Sequence, residues 1–276
     1  MKAAPRDGRI DVPSLIVHGS SLANTLLPCA SSYISVTEMW LRRGLFMLSI
    51  VTPVLNEEEN VPAFLAHIEA LEGPLELIVV DGGSTDGTCA ALRAAAGSFS
   101  RRIAVLSSPA GRAIQMNAGA RHATGTVLLF LHADCRIAPD APGAIGRALE
   151  EDGVIGGGFR HAFESRDPLL SLTSWFGNLL AARTQTFFGD FGIFIKKEAF
   201  FAIGGYEPLP YLEDVEFSRA ARRYGRLVLA DRPIGVSPRR YLEVGKYRLS
   251  AVYILVMLLN VAGIRPKRFL RYVVDK

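Results

Sequence analysis

From Leu48 onward, short apolar runs alternate with helix-length segments, and that alternation constrains the chain to a layered α/β architecture. Leu48-Ser-Ile-Val-Thr-Pro53 reads as a buried strand, Asn60 is placed to cap a helix running through Leu71, and Leu75-Glu-Leu-Ile-Val-Val-Asp81 reads as a second strand. A helix over Asp86–Ala96, a strand at Ile103–Leu106, a helix over Arg112–Ala123 and a strand at Val127–Leu131 continue the series. Strands linked through helices predict a mostly parallel sheet covered on both faces, with right-handed crossovers. Beyond Gly153 the pattern turns mixed: a strand over Val154–Phe163, a helix near Leu169–Ala182, a strand at Gly192–Lys196 and a helix from about Asp214 to Tyr224.

Length and composition narrow the class. A chain of 276 residues, 49% hydrophobic and 21% charged, suits one main folded domain with a substantial core. The formal charge of +4 is spread along the chain without aromatic interleaving or a compact basic stripe, so nucleic acid is not an expected partner. Cys29, Cys89 and Cys135 form no C-x-x-C pair, which argues against a disulfide framework or zinc knuckle and fits a reducing cytoplasm. Residues 1–46 lack sustained periodicity and read as a poorly ordered extension, reflecting either a misplaced translation start or a flexible arm. The main domain is expected over 47–245, and 246–276 reads as a hydrophobic and basic helical segment.

In open parallel sheets ligands bind beyond the carboxyl ends of the strands, and here those ends are polar. The first strand runs into Asn56-Glu57, the second ends in Asp81-Gly-Gly-Ser-Thr-Asp86, and the fourth leads to His132-Ala-Asp134. One carboxylate after a strand is ordinarily a helix cap or turn residue, and Asp86 is expected to be that. Glu57, Asp81 and Asp134 on one rim would repel one another unless they bind a cation or accept ligand hydrogen bonds. A hard cation such as Mn²⁺ or Mg²⁺ takes one or two protein carboxylates and completes its shell with phosphate oxygens, a task that suits Asp134. Zinc is disfavoured, because His132 and Cys135 have no second pair at ligand spacing; packing is the expected fate of both. Asp214, in Leu212-Glu-Asp-Val-Glu216, suits either a helix start or a general base that takes the proton of an attacking hydroxyl.

At these residues the chain resembles family 2 glycosyltransferases over roughly Leu48 to Tyr241. The resemblance rests on five motifs in order: Ser49 to Glu57, Val80 to Thr88, Gly111-Arg112 through Asn117-Ala-Gly119, Leu131-His-Ala-Asp134 and Leu212-Glu-Asp214. The run Gly111–Ala120, the His-Ala-Asp triplet and Gly189-Asp-Phe-Gly-Ile-Phe194 also look like a bacterial subgroup labelled radical-SAM/selenodomain-associated transferases. The resemblance implies an α/β nucleotide-diphospho-sugar transferase fold of the GT-A type. Pro53, Glu57 and Asp81 would line the nucleoside pocket, with Arg112 and Asn117 among the donor-binding residues. Asp134 would hold Mn²⁺ or Mg²⁺ against the diphosphate, and Asp214 would be the base of an inverting single displacement. Arg112, together with Arg239 or Arg240, would meet the diphosphate charge, since guanidinium matches phosphate geometry.

Two departures stand out: Gly82 follows Asp81 where the family pairs aspartates, and His132 opens the metal motif where the family has Asp. A silent sugar-nucleotide binder is the alternative these raise. A sugar nucleotidyltransferase would need a glycine-rich loop after the first strand, and Thr52–Glu59 has no glycine. Leu249–Ile264 is uncharged and apolar nearly all round, flanked by Lys246 and Arg248 on one side and Arg265, Lys267, Arg268 and Arg271 on the other. That run is short for a spanning helix, which needs roughly 20 residues. It is expected to lie at the inner face of the membrane beside a lipid-linked acceptor, or to pack on the domain.

Overall fold

The computed structural model describes residues 46–97 and 99–264. The expected N-terminal extension, apart from Phe46, and the basic end of the C-terminal segment lie outside these residues. Strand β1 (Leu48–Val54) is buried throughout and pairs in parallel with β2 (Leu75–Asp81) on one side and β4 (Val127–Phe130) on the other. β3 (Arg102–Ser107) extends the parallel half beyond β2. On the opposite side β4 meets β7 (Ile193–Lys196) in antiparallel fashion, followed by β6 (Val154–Phe163), β8 (Arg226–Val236) and β5 (Cys135–Ile137), giving the order β3-β2-β1-β4-β7-β6-β8-β5. The expected alternation therefore holds as far as β4, and the mixed half begins where β7 reverses.

Residues on β1 and β2 alternate between two cores, as the period of a pleated strand requires. Leu48, Ile50, Leu77 and Val79 pack with α1 (Val61–Glu69) and α4 (Ala141–Glu150). Val51, Ile78 and Val80 pack with α3 (Arg112–His122), α6 (Lys197–Ile203) and α7 (Glu213–Ala221). Helices on both faces explain why these strands are buried along their whole length. α3 comes so close to the sheet that a Cβ on Gly119 would stand 2.4 Å from Val51 Cγ1. The remaining helices are α2 (Thr88–Ala96), α5 (Pro168–Thr184), α8 (Arg239–Val244) and α9 (Lys246–Val261).

Two local expectations are revised. Asn60 stands at the N-cap position of α1 but makes no capping bond; its side-chain amide goes back to Glu57. Asp86 does hold the start of α2, accepting from Thr88 N at 3.0 Å, with Gly87 at the cap position itself. The expected apolar C-terminal helix appears as α9. It packs on α5, where Thr173 Oγ1 and Ser250 Oγ are 3.1 Å apart, and it buries Val256 and Met257. Among the described residues no helix is long and apolar enough to cross a membrane.

Candidate active site

A cavity of about 650 Å³ opens beyond the carboxyl ends of β1 and β4, a size within the ordinary range for small-molecule sites. Pro53, Val54 and Glu57 form one wall with Arg112 and Gln115 of α3. His132, Asp134 and Cys135 form the floor after β4, and residues 188–190 and 209–214 close the far side. Tyr241 of α8 and Leu249, Val252 and Tyr253 of α9 complete the enclosure. Gln115, which sequence reasoning did not single out, donates from Nε2 to the carbonyls of Val54 (2.9 Å) and Val80 (2.8 Å), pinning the ends of β1 and β2 together.

Asp214 occupies the first turn of α7, where the helix dipole favours acidic groups, and Glu213 and Glu216 share that turn. It is not the cap. That position belongs to Leu212, held left-handed at φ 60°. Asp214 Oδ2 accepts from Gly189 N at 2.6 Å and Oδ1 from Val215 N at 2.7 Å. Burial, reinforced by the neighbouring Glu213 carboxylate, pushes the Asp214 carboxyl up to about 7, against the pull of Arg112. Arg112 grips Glu213, Nε to Oε1 at 2.8 Å, so that one carboxylate of the pair is neutralised.

Gly189 is required by crowding. A Cβ there would lie 2.8 Å from His132 Nε2 and 3.5 Å from Asp214 Oδ2. His132 thus packs beside Asp214 at the cavity wall. Burial, helped by Arg112, lowers its imidazole below the ordinary value. Cys135 is buried and also on the wall. Asp190, in the 3-10 turn Gly189–Phe191, is a further wall residue, which the sequence reading quoted within the Gly189–Phe194 run without giving it a role. A carboxylate next to glycine in a helix-to-strand loop was the available signal.

Three expected site residues are not on the cavity wall. Asp81 turns into its own loop, accepting from Gly83 N at 3.0 Å and Ser84 N at 3.1 Å. Against the upward push of burial, the Ser84 hydroxyl and then those two N–H groups hold its carboxyl below the usual range. Asn117 clamps the backbone of Tyr206, donating to its carbonyl at 2.7 Å and accepting from its N–H at 2.9 Å. Arg239 is exposed away from the cavity, whereas Arg240 lines it.

No group of three or more His, Cys, Asp or Glu among the described residues could by itself hold a metal ion. Asp134 lines the cavity with only a weak contact given to its carboxylate, Cys135 Sγ at 3.7 Å from Oδ1. One carboxylate completed by phosphate oxygens fits Mg²⁺ or Mn²⁺, and does not fit zinc.

The sheet, its helices and a cavity at its carboxyl edge have the architecture of the GT-A fold. Residues 49–203 match the family model described as glycosyl transferase family 2, and the chain belongs to that family. It is similar to a mannosyltransferase from Pyrobaculum calidifontis solved in complex with GDP-Man and Mn²⁺, with a TM-score of 0.64, 23% identity and coverage of 80% of this chain and 66% of that one. A Staphylococcus aureus TarS structure in complex with UDP-GlcNAc has a TM-score of 0.56, 18% identity and coverage of 76% and 66%. In sequence, the undecaprenyl-phosphate 4-deoxy-4-formamido-L-arabinose transferase of Sodalis glossinidius is 34% identical over 116 residues, 40% of this chain and 36% of its own length. A PGL/p-HBAD biosynthesis glycosyltransferase of Mycobacterium bovis is 41% identical over 90 residues, 32% and 35% of the two lengths. The chain thus spans about a third of the length of these curated relatives.

Proposed function

We propose that this transferase moves a sugar from a nucleotide-diphosphate donor to the hydroxyl of a membrane-borne acceptor, inverting the anomeric carbon, with Asp214 as general base. The observation that carries this reading is a buried carboxyl on the cavity wall whose affinity for a proton is raised to about 7. A base is most effective when it titrates near the working pH. The acceptor oxygen forms its bond to the anomeric carbon as the bond to the diphosphate breaks, the electron pair leaves with the diphosphate, and the hydroxyl proton passes to Asp214. Pro53 and Glu57 bound the nucleoside side, and Arg112 and Arg240 meet the diphosphate. A divalent cation held by Asp134 would supply further neutralisation of the departing charge. Asp81 serves this reading indirectly, by fixing the loop after β2.

One relative carries undecaprenyl-phosphate in its name, and the outer surface of α5 and α9 is suited to a membrane. Leu172 and Trp175 on α5, with Tyr247, Leu255 and Leu258 on α9, are exposed. The opposite face of α9 walls the cavity through Leu249, Val252 and Tyr253. An interfacial position at the inner leaflet would therefore bring a lipid headgroup close to Asp214. The test is a panel of nucleotide sugars assayed for thermal stabilisation and slow hydrolysis, with and without Mn²⁺. One donor is expected to raise the melting temperature and be hydrolysed in a Mn²⁺-dependent manner. A chain that neither binds nor hydrolyses any of them is not this enzyme.

A further inference from the structure

Every charged side chain on the cavity wall, from Glu57 and Arg112 to Asp214 and Arg240, comes from an element other than α9. α9 supplies Leu249, Val252, Tyr253 and Val256. These four recur at i, i+3, i+4 and i+7 and so form one face of the helix. At 1.5 Å per residue that face is about 10 Å long. Between Leu249 and Val256 only Ser250 and Tyr253 carry a hydroxyl, and Ser250 is turned to Thr173 of α5 at 3.1 Å. Burial, followed by Asp190, Tyr241 and Asp214, pushes the Tyr253 phenol well above its usual range, so the ring stays neutral. The apolar wall adjoins the proposed base. The Tyr253 ring lies 4.9 Å, centroid to centroid, from that of Phe188, and the next residue, Gly189, donates its N–H to Asp214 at 2.6 Å. Leu249, Val252 and Tyr253 are only half-buried, and covering them is favourable because apolar surface is driven from water in proportion to its area.

Resting on the transferase reading, we infer that the acceptor carries an apolar chain next to its reacting group, and that this chain lies inside the cavity along Leu249, Val252 and Val256. The donor does not suit that wall. Its ribose and diphosphate are polar along their whole length, and α9 offers them no charge to replace the water they would lose. A free sugar as acceptor would likewise leave the α9 wall uncovered. An amphiphile satisfies both parts of the cavity, with its polar head at Asp214 and its chain covering the helix. The requirement concerns the chain and holds for a hydroxyl-bearing or a phosphate-bearing head. Recognition is then a property of the cavity, and it does not depend on the outward face of α9 meeting a membrane.

The test uses the full chain, the donor selected by the panel and no vesicles. Acceptors are offered in two pairs, methyl and octyl glucoside, and dimethylallyl and farnesyl phosphate, with octyl glucoside and farnesyl phosphate kept below their micellar concentrations. Within a pair whose head is accepted, wild type is expected to prefer the longer chain at least tenfold in kcat/KM. Either head supports the inference, the glucoside pair marking a hydroxyl acceptor and the phosphate pair a phosphate one. Val252→Ser should bring the preference below threefold. Val252→Phe, which fills the space for the chain without making the wall polar, should do the same, and it serves if the Ser variant folds poorly. Equal use of long and short partners, transfer to none of the four, or variants that slow both partners alike would each overturn the inference. Failure of the transferase reading looks different, because wild type would then hydrolyse no donor at all.

Discussion

Arg112 and Glu213, 101 residues apart in sequence, form a forked ion pair, with Nε 2.8 Å from Oε1 and Nη2 3.3 Å from Oε2. Glu213 is almost fully buried next to Asp214, whereas the Arg112 side chain is 43% exposed to the cavity. Arg112→Ala would leave a buried carboxylate unpaired. Removing one partner of a fully buried pair costs about 3–5 kcal/mol; with one partner half in water, a loss of about 2 kcal/mol is expected in denaturant unfolding. Arg112→Lys should recover only part of it, since an ammonium cannot reproduce the fork. Equal stability of the Ala variant and wild type would mean that cavity water already screens Glu213.

Asp214 supplies a pH signature. Its folded-state value of about 7 lies above that of an ordinary carboxyl. Between roughly pH 4 and 7 the folded chain holds a proton that the unfolded chain has released, so stability falls as pH rises through that window and is level above it. Asp214→Asn removes the titration. Its melting temperature should exceed that of wild type by several degrees at pH 8 and by little at pH 5, while transfer drops about 100-fold or more. Parallel melting curves for the two proteins across this range would sink the assignment, as would retained transfer.

Asn117 is expected to act on stability and not on donor affinity. Its side chain satisfies both backbone groups of Tyr206, so Asn117→Ala should destabilise by about 2 kcal/mol, at roughly 1 kcal/mol per lost bond. The donor KM, measured well below the melting temperature, should stay within about twofold, a change worth less than ~0.5 kcal/mol. A large rise in donor KM with unchanged melting would return Asn117 to the nucleotide site.

The outward face of α5 and α9 predicts binding to anionic vesicles. Replacing Trp175, Leu255 and Leu258 by Ser should abolish flotation and leave donor hydrolysis intact, because these exposed residues are not on the cavity wall. Deleting α9 is the wrong experiment, since the helix also buries Val256 and Met257 and walls the cavity. Wild-type protein that stays with the unbound fraction at low salt would rule out the interfacial role.

The parallel half of the fold was legible because strands covered on both faces are buried along their whole length and so mostly apolar, and β1, β2 and β4 are, with the buried Ser49 and Glu76 bonded to each other. β8 escaped reading for the converse reason. Asp231, Arg232 and Pro233 interrupt its apolar pattern, and its pairing with β6 carries register shifts. α4 was hidden by Pro142, Gly143 and Gly146, which lower helix propensity where packing supplies the stability. In the site, strand ends located Glu57 and Asp134, and the acidic helix start Leu212-Glu-Asp located Asp214. Position alone does not say which way a side chain turns, so Asp81 and Asn117 looked equivalent to residues that face the cavity. Asp190 depends on a 3-10 turn folding back against α7, a contact that no local periodicity encodes.

Arg112 and Asn117 both belong to α3, and they fasten it at two points to the other half of the molecule, one at Glu213 and the other at Tyr206. Gly119 seats the same helix directly on β1. α3 therefore behaves as a tie bar between the parallel and mixed halves. Its amides and those of the first turns of α7 should exchange with solvent as one cooperative unit, with protection lost together when either fastening is cut. Such a tie leaves little scope for the halves to swing apart around a donor. The segment from Leu209 to Leu212, which walls the cavity beside α7, ends in a residue held in a left-handed conformation that a leucine adopts only under constraint, so the wall next to Asp214 is fixed as well.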